Sequence, residues 1–248
     1  MVKMTHRLSS CFERSGYKIE VKDDIQEFAA LRSNTPDHVF LGPTFDPEKS
    51  DQTNSKWMLA STEDGKPAAF VALRRFDTPS LNELIRTCRI WYDHPETGNV
   101  EFLKPVPPMR GTCYYRGGMY VYPNHRKSGL AWGLAMYGQA IAQEEGGKWI
   151  FANAFPEIVE KGIPFRVYGF ETCYPQKMPT DIDSSTSDSP MAGREGIFYL
   201  LTCSRSFFSE NISCVRNILV SRRNYNLLDT SLTYERNRLP QKQAGRVA

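Results

Sequence analysis

Long apolar runs are missing from this 248-residue sequence. The longest, such as WIFANAF (149–155) and IFYLLTC (197–203), fall far short of the ~18 residues that a membrane-spanning helix needs. The N-terminal MVKMTHRLSSCFERSGY carries no apolar core of the kind a secretory signal has, so a cytoplasmic protein with no membrane partner is the expectation. Paired cysteine motifs are missing as well. The six cysteines, at 11, 88, 113, 173, 203 and 214, make no Cys-x-x-Cys pair, and no histidine stands at a metal-ligand offset. Reduced, packed thiols and no metal site are expected. There is also no large charge excess: a net charge of +3 is too small to imply nucleic-acid binding by itself. No internal repeat is present.

What is there is ordinary globular material. Hydrophobic residues make up 40% and charged residues 24%, which suits a folded chain with one sizeable core. The charge is unevenly placed: Arg205 to Ala248 carries eight Lys/Arg against three Asp/Glu. Residues 1–204 are therefore read as the main domain. Residues 205–248 are read as a basic extension, enough for a helix or a subunit interface but not for a second core.

GYKIEV (16–21) alternates as a strand, and Asp23 and Asp24 can cap a helix over IQEFAALRS. WMLAST and PAAFVALRRF flank EDGK, whose Asp64-Gly65 is a hairpin signal. Residues 77–110 mix a short helical stretch with YDHPETGN and KPVPPMRG and read as an insertion. TCYYRGGMYVYP is a strand with a bulge expected at Gly117 and Gly118. The next helix has Leu130, Leu134, Tyr137 and Ile141 on one face and ends in EEGG. WIFANAF then completes a strand-helix-strand crossover. PEIVEKG and PFRVYG read as two short helices because Pro164 breaks one, and FETCYP and IFYLLTC are strands around a polar loop at about 176–196.

Between the bulged strand and the long helix lies PNHRKSGLA (123–131), a basic hinge with glycine at the helix mouth. A helix N-terminus offers unpaired N–H groups and about half a positive charge, and glycine lets a phosphate approach. YVYPNHRKSGLA is similar to the central Pro-x-x-Arg-x-x-Gly-x-[Gly/Ala] motif of the GNAT superfamily of acyl-CoA N-acyltransferases, matching at Val121, Pro123, Arg126, Gly129 and Ala131. VYGFETCYP resembles the Gly-Phe signature of that family at Gly169 and Phe170. The clear resemblance covers about a quarter of the chain, Tyr114 to Tyr174.

The resemblance implies an α/β (α+β) fold, with a GNAT-like mixed central sheet splayed between its fourth and fifth strands and flanked by helices. It implies acetyl-CoA or another acyl-CoA as cosubstrate and an amine acceptor, either a small molecule or a peptide. On this reading Arg126, Lys127, Ser128, Gly129, Leu130 and Ala131 would receive the pyrophosphate. Met119, Tyr120 and Val121, on the open strand edge, would pair with the pantetheine amides, and Asn153 would face them across the cleft, contacting cofactor or acceptor or closing a turn. Many relatives place a tyrosine four residues before the Gly-Phe glycine. Phe165 stands there, which makes Tyr168 the candidate proton donor, its other reading being packing against the sheet. The strand before the hinge has no carboxylate, so Asp93, His94, Glu96 and Glu101 are the remaining base candidates, each with a surface-loop reading beside it. A GNAT-like module that binds a partner without catalysis is the second reading, nucleic-acid binding through the tail ranks last, and a homodimer through the tail stays open.

Overall fold

The computed structural model describes residues 3–35, 55–78, 101–177 and 197–238. Its centre is an eight-stranded mixed sheet in the order β1-β2-β3-β5-β6-β8-β7-β4. The strands are β1 (Tyr17–Lys22), β2 (Ser55–Thr62), β3 (Pro67–Thr78), β4 (Glu101–Phe102), β5 (Gly111–Val121), β6 (Trp149–Ala154), β7 (Thr172–Lys177) and β8 (Ile197–Ser204). The helices are α1 (Met4–Arg14), α2 (Ile25–Ser33), α3 (Leu130–Glu144), α4 (Pro156–Glu160), α5 (Ile163–Arg166), α6 (Arg205–Ser221) and α7 (Leu227–Arg238). No helix among the described residues is long and apolar enough to cross a membrane.

Local signals place most of these elements. Asp24 caps α2 by accepting from the N–H groups of Gln26 and Glu27. The Asp64-Gly65 turn joins β2 to β3 as an antiparallel pair, with Gly65 at φ 81°. The β3–β5 register slips between Phe70 and Ala72, which face Tyr120 and Gly117, and Gly118 takes φ 60° there. This is the bulge expected at Gly117 and Gly118.

The decisive feature is the parallel pair β5–β6. Its register runs only through Cys113↔Trp149, Tyr114↔Ile150 and Tyr115↔Phe151. Beyond Tyr115, β5 continues to Val121 on β3 alone, and beyond Phe151, β6 continues to Ala154 on β8 alone. The sheet is splayed there. In this count the gap lies between the fifth and sixth strands, because the two-residue β4, paired with β7, falls inside the segment taken as an insertion.

The main core lies on one face, where α1, α3, α6 and α7 pack together and onto the sheet. α1 was not anticipated. Met4, Leu8, Cys11 and Phe12, at helical spacing along an otherwise polar segment, are its buried face. On the other face α2 covers Trp57, Leu59 and Phe70, and residues 103–110 bring Met109 over Cys113, Tyr115 and Phe151. The stretch after Ser204 joins the main core: Phe207, Phe208, Ile212, Val215, Leu227 and Tyr234 are all buried in it. Residues 77 and 78 of the expected insertion belong to β3, and residues 176 and 177 of the polar loop expected at about 176–196 belong to β7; the rest of that loop, residues 79–100 and with them the base candidates Asp93, His94 and Glu96 lie outside the described residues.

Candidate functional site

The open edge of β5 runs from Arg116, against which the segment from Val167 to Phe170 packs, to Val121, where the chain turns into the N-terminus of α3. After Val121 the chain makes a 3-10 turn, Pro123–His125, and reverses into α3. Lys127 stands at φ 65° and Gly129 at φ 83°, both left-handed, a sharp bend that only glycine adopts without strain. Gly129 is the N-cap of α3, and no side chain caps the helix. There is no acidic residue in the first turn either. A 15-residue helix thus has its orphan N–H groups and positive dipole end without a side-chain cap or an acidic residue to offset them.

The turn residues divide by role. Arg126 and Lys127 are exposed, and Arg126 Nε donates to Val121 O at 3.2 Å, fixing the turn to the end of β5. The Ser128 hydroxyl donates to His125 O at 2.6 Å. Leu130 is buried in the main core and anchors the helix start, while Ala131 is half-buried. His125 is turned toward β1: its Nδ1 lies 3.2 Å from the Tyr17 hydroxyl. On β5 the side chains alternate. Met119 and Val121 pack against the main core, whereas Tyr120 stacks on Phe70 beneath α2. Their backbone edge toward β6 is what the splay opens.

Asn153 lies on the opposite face from Tyr168. It stands across from Leu200, in the Phe151 layer, where its Oδ1 accepts from Gln176 Nε2 at 3.4 Å and its side chain hydrogen-bonds the Tyr115 hydroxyl. Burial pushes the Tyr115 phenol up to about 12, with the Asn153 bond and the charges of Arg74 and Arg32 pulling down. The splay therefore has a polar floor on this side, of Tyr115, Asn153 and Gln176. Glu101, the one base candidate inside the described residues, is exposed on β4.

On the helical face, Tyr168 and Gly169 are gripped through their carbonyls. Tyr168 O accepts from both terminal nitrogens of Arg116, at 3.4 and 3.5 Å, and from Gln139 Nε2 at 3.1 Å. Gly169 O accepts from Asn211 Nδ2 at 3.0 Å and from Gln139 Nε2 at 3.4 Å. Gly169 has φ 63°, and a Cβ there would come within 2.8 Å of Asn211 Nδ2, so both conformation and space require glycine. Phe165 is half-buried against the main core. Burial pushes the Tyr168 phenol up, while the Arg116 charge pulls it down, and the protonated phenol is the form a proton donor needs.

Arg116, Gln139 and Asn211 were not singled out in the sequence. Arg116 had one signal, a lone charge inside the aromatic strand YYRGGMYVY. Gln139 and Asn211 had none, since a single amide on a helix is usually solvated.

No protein-family model matches the sequence, and no curated protein matches it. Among solved structures, the chain is similar to a protein from Desulfovibrio desulfuricans assigned to the GNAT family of acetyltransferases, at 14% identity and a TM-score of 0.41, over 76% of this chain and 99% of that one. It is similar to a protein from Salmonella typhimurium assigned as an acetyltransferase and solved with its cofactor acetyl-CoA, at 13% identity and a TM-score of 0.44, over 77% and 94%. It is also similar to the polyamine N-acetyltransferase of Drosophila melanogaster, which forms N-acetylagmatine, at 13% identity and a TM-score of 0.45, over 75% and 100%.

Proposed function

We propose that the protein is an acyl-CoA-dependent N-acyltransferase that moves an acetyl group from acetyl-CoA to a primary amine by direct attack. The observation that carries this is the uncapped N-terminus of α3, set beside the diverging ends of β5 and β6. The N–H groups of the first turn of α3 suit the pyrophosphate, with Arg126 and Lys127 adding charge. The free edge of β5 over Met119, Tyr120 and Val121 suits the pantetheine amides, which pair with it as a further strand would.

Along that edge the thioester would lie near Tyr168. The amine lone pair attacks the thioester carbonyl, the carbon–sulfur bond breaks, and the thiolate leaves with the electron pair and takes a proton from the Tyr168 phenol. The surplus proton of the amine passes to water, because the β5 strand supplies no carboxylate, and water returns a proton to the Tyr168 phenolate. Positioning two reactants in this way can supply on the order of 7–11 kcal/mol in well-oriented systems.

Calorimetric titration with acetyl-CoA tests this reading. Wild type is expected to bind in the micromolar range, and Arg126→Glu/Lys127→Glu, checked to be folded by its cooperative melt, to bind at least tenfold more weakly. Equal binding by the two proteins, or no binding by folded wild type, would sink the assignment.

Phe165, at the place where many GNAT enzymes have tyrosine, favours a second reading: a CoA-binding module without catalysis. Acyl transfer to any amine, abolished by the same double variant, would argue against it.

A further inference from the structure

Arg116 is the first β5 residue past the last pair of the β5–β6 ladder. It is 5% exposed, and its guanidinium lies 5.2 Å from the Tyr168 ring centre and 4.5 Å from that of Phe170. Its hydrogen bonds are the two long ones to Tyr168 O, and no carboxylate pairs with it among the described residues. The groups whose charge bears on it are Tyr168, Cys203 and Tyr234, all neutral as buried acids at neutral pH. Burial, opposed in part by Tyr168, Cys203 and Tyr234, brings the guanidinium down to about 10, so the charge stays on while its solvation has been removed.

A buried cation is ordinarily paired, since desolvating it is costly and two neutral hydrogen bonds do not replace water. Met or Leu would fill the same space between Tyr168 and Phe170 without the desolvation cost, giving up the cation–π contacts with the two rings and leaving Tyr168 O its bond from Gln139. The position also matters: the charge sits at the apex of the gap, on the same face as Tyr168, where the reacting ends of two substrates would meet. A guanidinium fork is suited to a planar carboxylate.

We infer that Arg116 is the receptor for a substrate carboxylate at the apex of the splay. One of the two reactants is then a carboxylic acid. It is either a dicarboxylic acyl thioester, whose distal carboxylate reaches Arg116, or an amino-acid acceptor, whose α-carboxylate does. This deepens the acyltransferase reading and rests on it for the identity of the reactants, though not for the carboxylate site itself.

The experiment uses the full chain, with Arg116→Met and Arg116→Lys. Without ligand, Arg116→Met is expected to melt at or above the wild-type temperature, because it removes an unpaired buried charge while keeping the volume. A drop of several degrees, or failure to fold, would make Arg116 a structural staple and overturn the inference. Succinate alone should raise the Tm of wild type and of Arg116→Lys, but not of Arg116→Met.

Calorimetry then separates the two sources. In the acyl arm, succinyl-CoA should bind wild type at least tenfold more tightly than acetyl-CoA, and the two should be within twofold in Arg116→Met. In the acceptor arm, protein saturated with acetyl-CoA should bind an amino acid at least tenfold better than its decarboxylated amine, with lysine and cadaverine, arginine and agmatine, and phenylalanine and phenethylamine as pairs. Arg116→Met should lose that discrimination. Failure of CoA binding would sink the acyltransferase reading and leave the succinate measurement to decide on Arg116. Absence of any Arg116-dependent carboxylate preference would overturn the receptor.

Discussion

Gly129 lies against the backbone of Leu227. A Cβ on Gly129 would come within 2.6 Å of the Leu227 carbonyl carbon and oxygen, and within 2.8 Å of the Leu228 nitrogen. Those are main-chain atoms that cannot rotate away, so the mouth of α3 and the start of α7 fit only because this residue has no side chain.

Gly129→Ala is therefore expected to lose stability twice over. The left-handed φ of 83° costs an alanine ~1–2 kcal/mol, and the clash adds to it. Urea unfolding should show a loss of roughly 2 kcal/mol or more. A variant as stable as wild type would mean that α7 does not rest on the turn. For this reason the charge variants at Arg126 and Lys127 are the cleaner probe of anion binding.

Removal of residues 205–248 should leave a chain that does not fold. Phe207, Phe208, Ile212, Val215 and Leu227 are each at most 7% exposed, and losing one such side chain costs about 2–5 kcal/mol against a typical stability of about 5–15 kcal/mol. Circular dichroism of a 1–204 chain checks this. A cooperative melt would show that the sheet and α1–α5 suffice.

Glu145 gives a pH dependence. Burial by itself would raise its carboxyl, but the bonds from Lys56 and from the Tyr114 hydroxyl, the latter at 2.6 Å, outweigh burial and hold it below its ordinary range. A carboxyl lowered on folding stabilises above its unfolded pKa, and that contribution is lost as pH falls through the folded value. The Tm of wild type should exceed that of Glu145→Gln at pH 7, and the gap should close below about pH 4. A gap that persists at low pH would place the effect in packing rather than charge.

Tyr168→Phe deletes only the hydroxyl. If that group protonates the departing thiolate, kcat should fall by ~10²-fold while the affinity for acetyl-CoA stays within twofold, and the loss should shrink with thioesters of more acidic thiols. An unchanged kcat would assign the ring to packing under Arg116.

The strand-helix-strand unit was readable because each boundary carries its own local chemistry: the Gly117-Gly118 bulge, the Pro123 turn, and Gly129 ahead of an apolar helix. The hairpin at Asp64-Gly65 and the cap at Asp24 were legible for the same reason. What escaped is what depends on distant partners. Nothing in MTHRLSSCFER says that Phe12 meets Tyr137 edge to face, at 6.3 Å between ring centres. The positive charge of 205–248 points to a solvated surface, whereas the apolar positions between Phe207 and Tyr234 bind that stretch into the core. Asn153 was placed on the right strand, but which face it takes follows from the register with β8, where it stands across from Leu200. The grip on Gly169 joins residues 139 and 211, 72 positions apart, and no local pattern encodes that.

The docking of α7 has a consequence for how the chain matures. The Leu227 N–H donates to the Ser15 hydroxyl at 2.7 Å across 212 positions, and the same stretch backs the turn at Gly129. During synthesis the hinge and both strands of the splay emerge long before the helix that supports them. Until α7 has left the ribosome and closed against α1 and α3, the nascent chain holds its motif unsupported and the core face of α3 partly uncovered. A chain stalled before residue 227 would then meet chaperones with the hinge made and the backbone that rests on it missing.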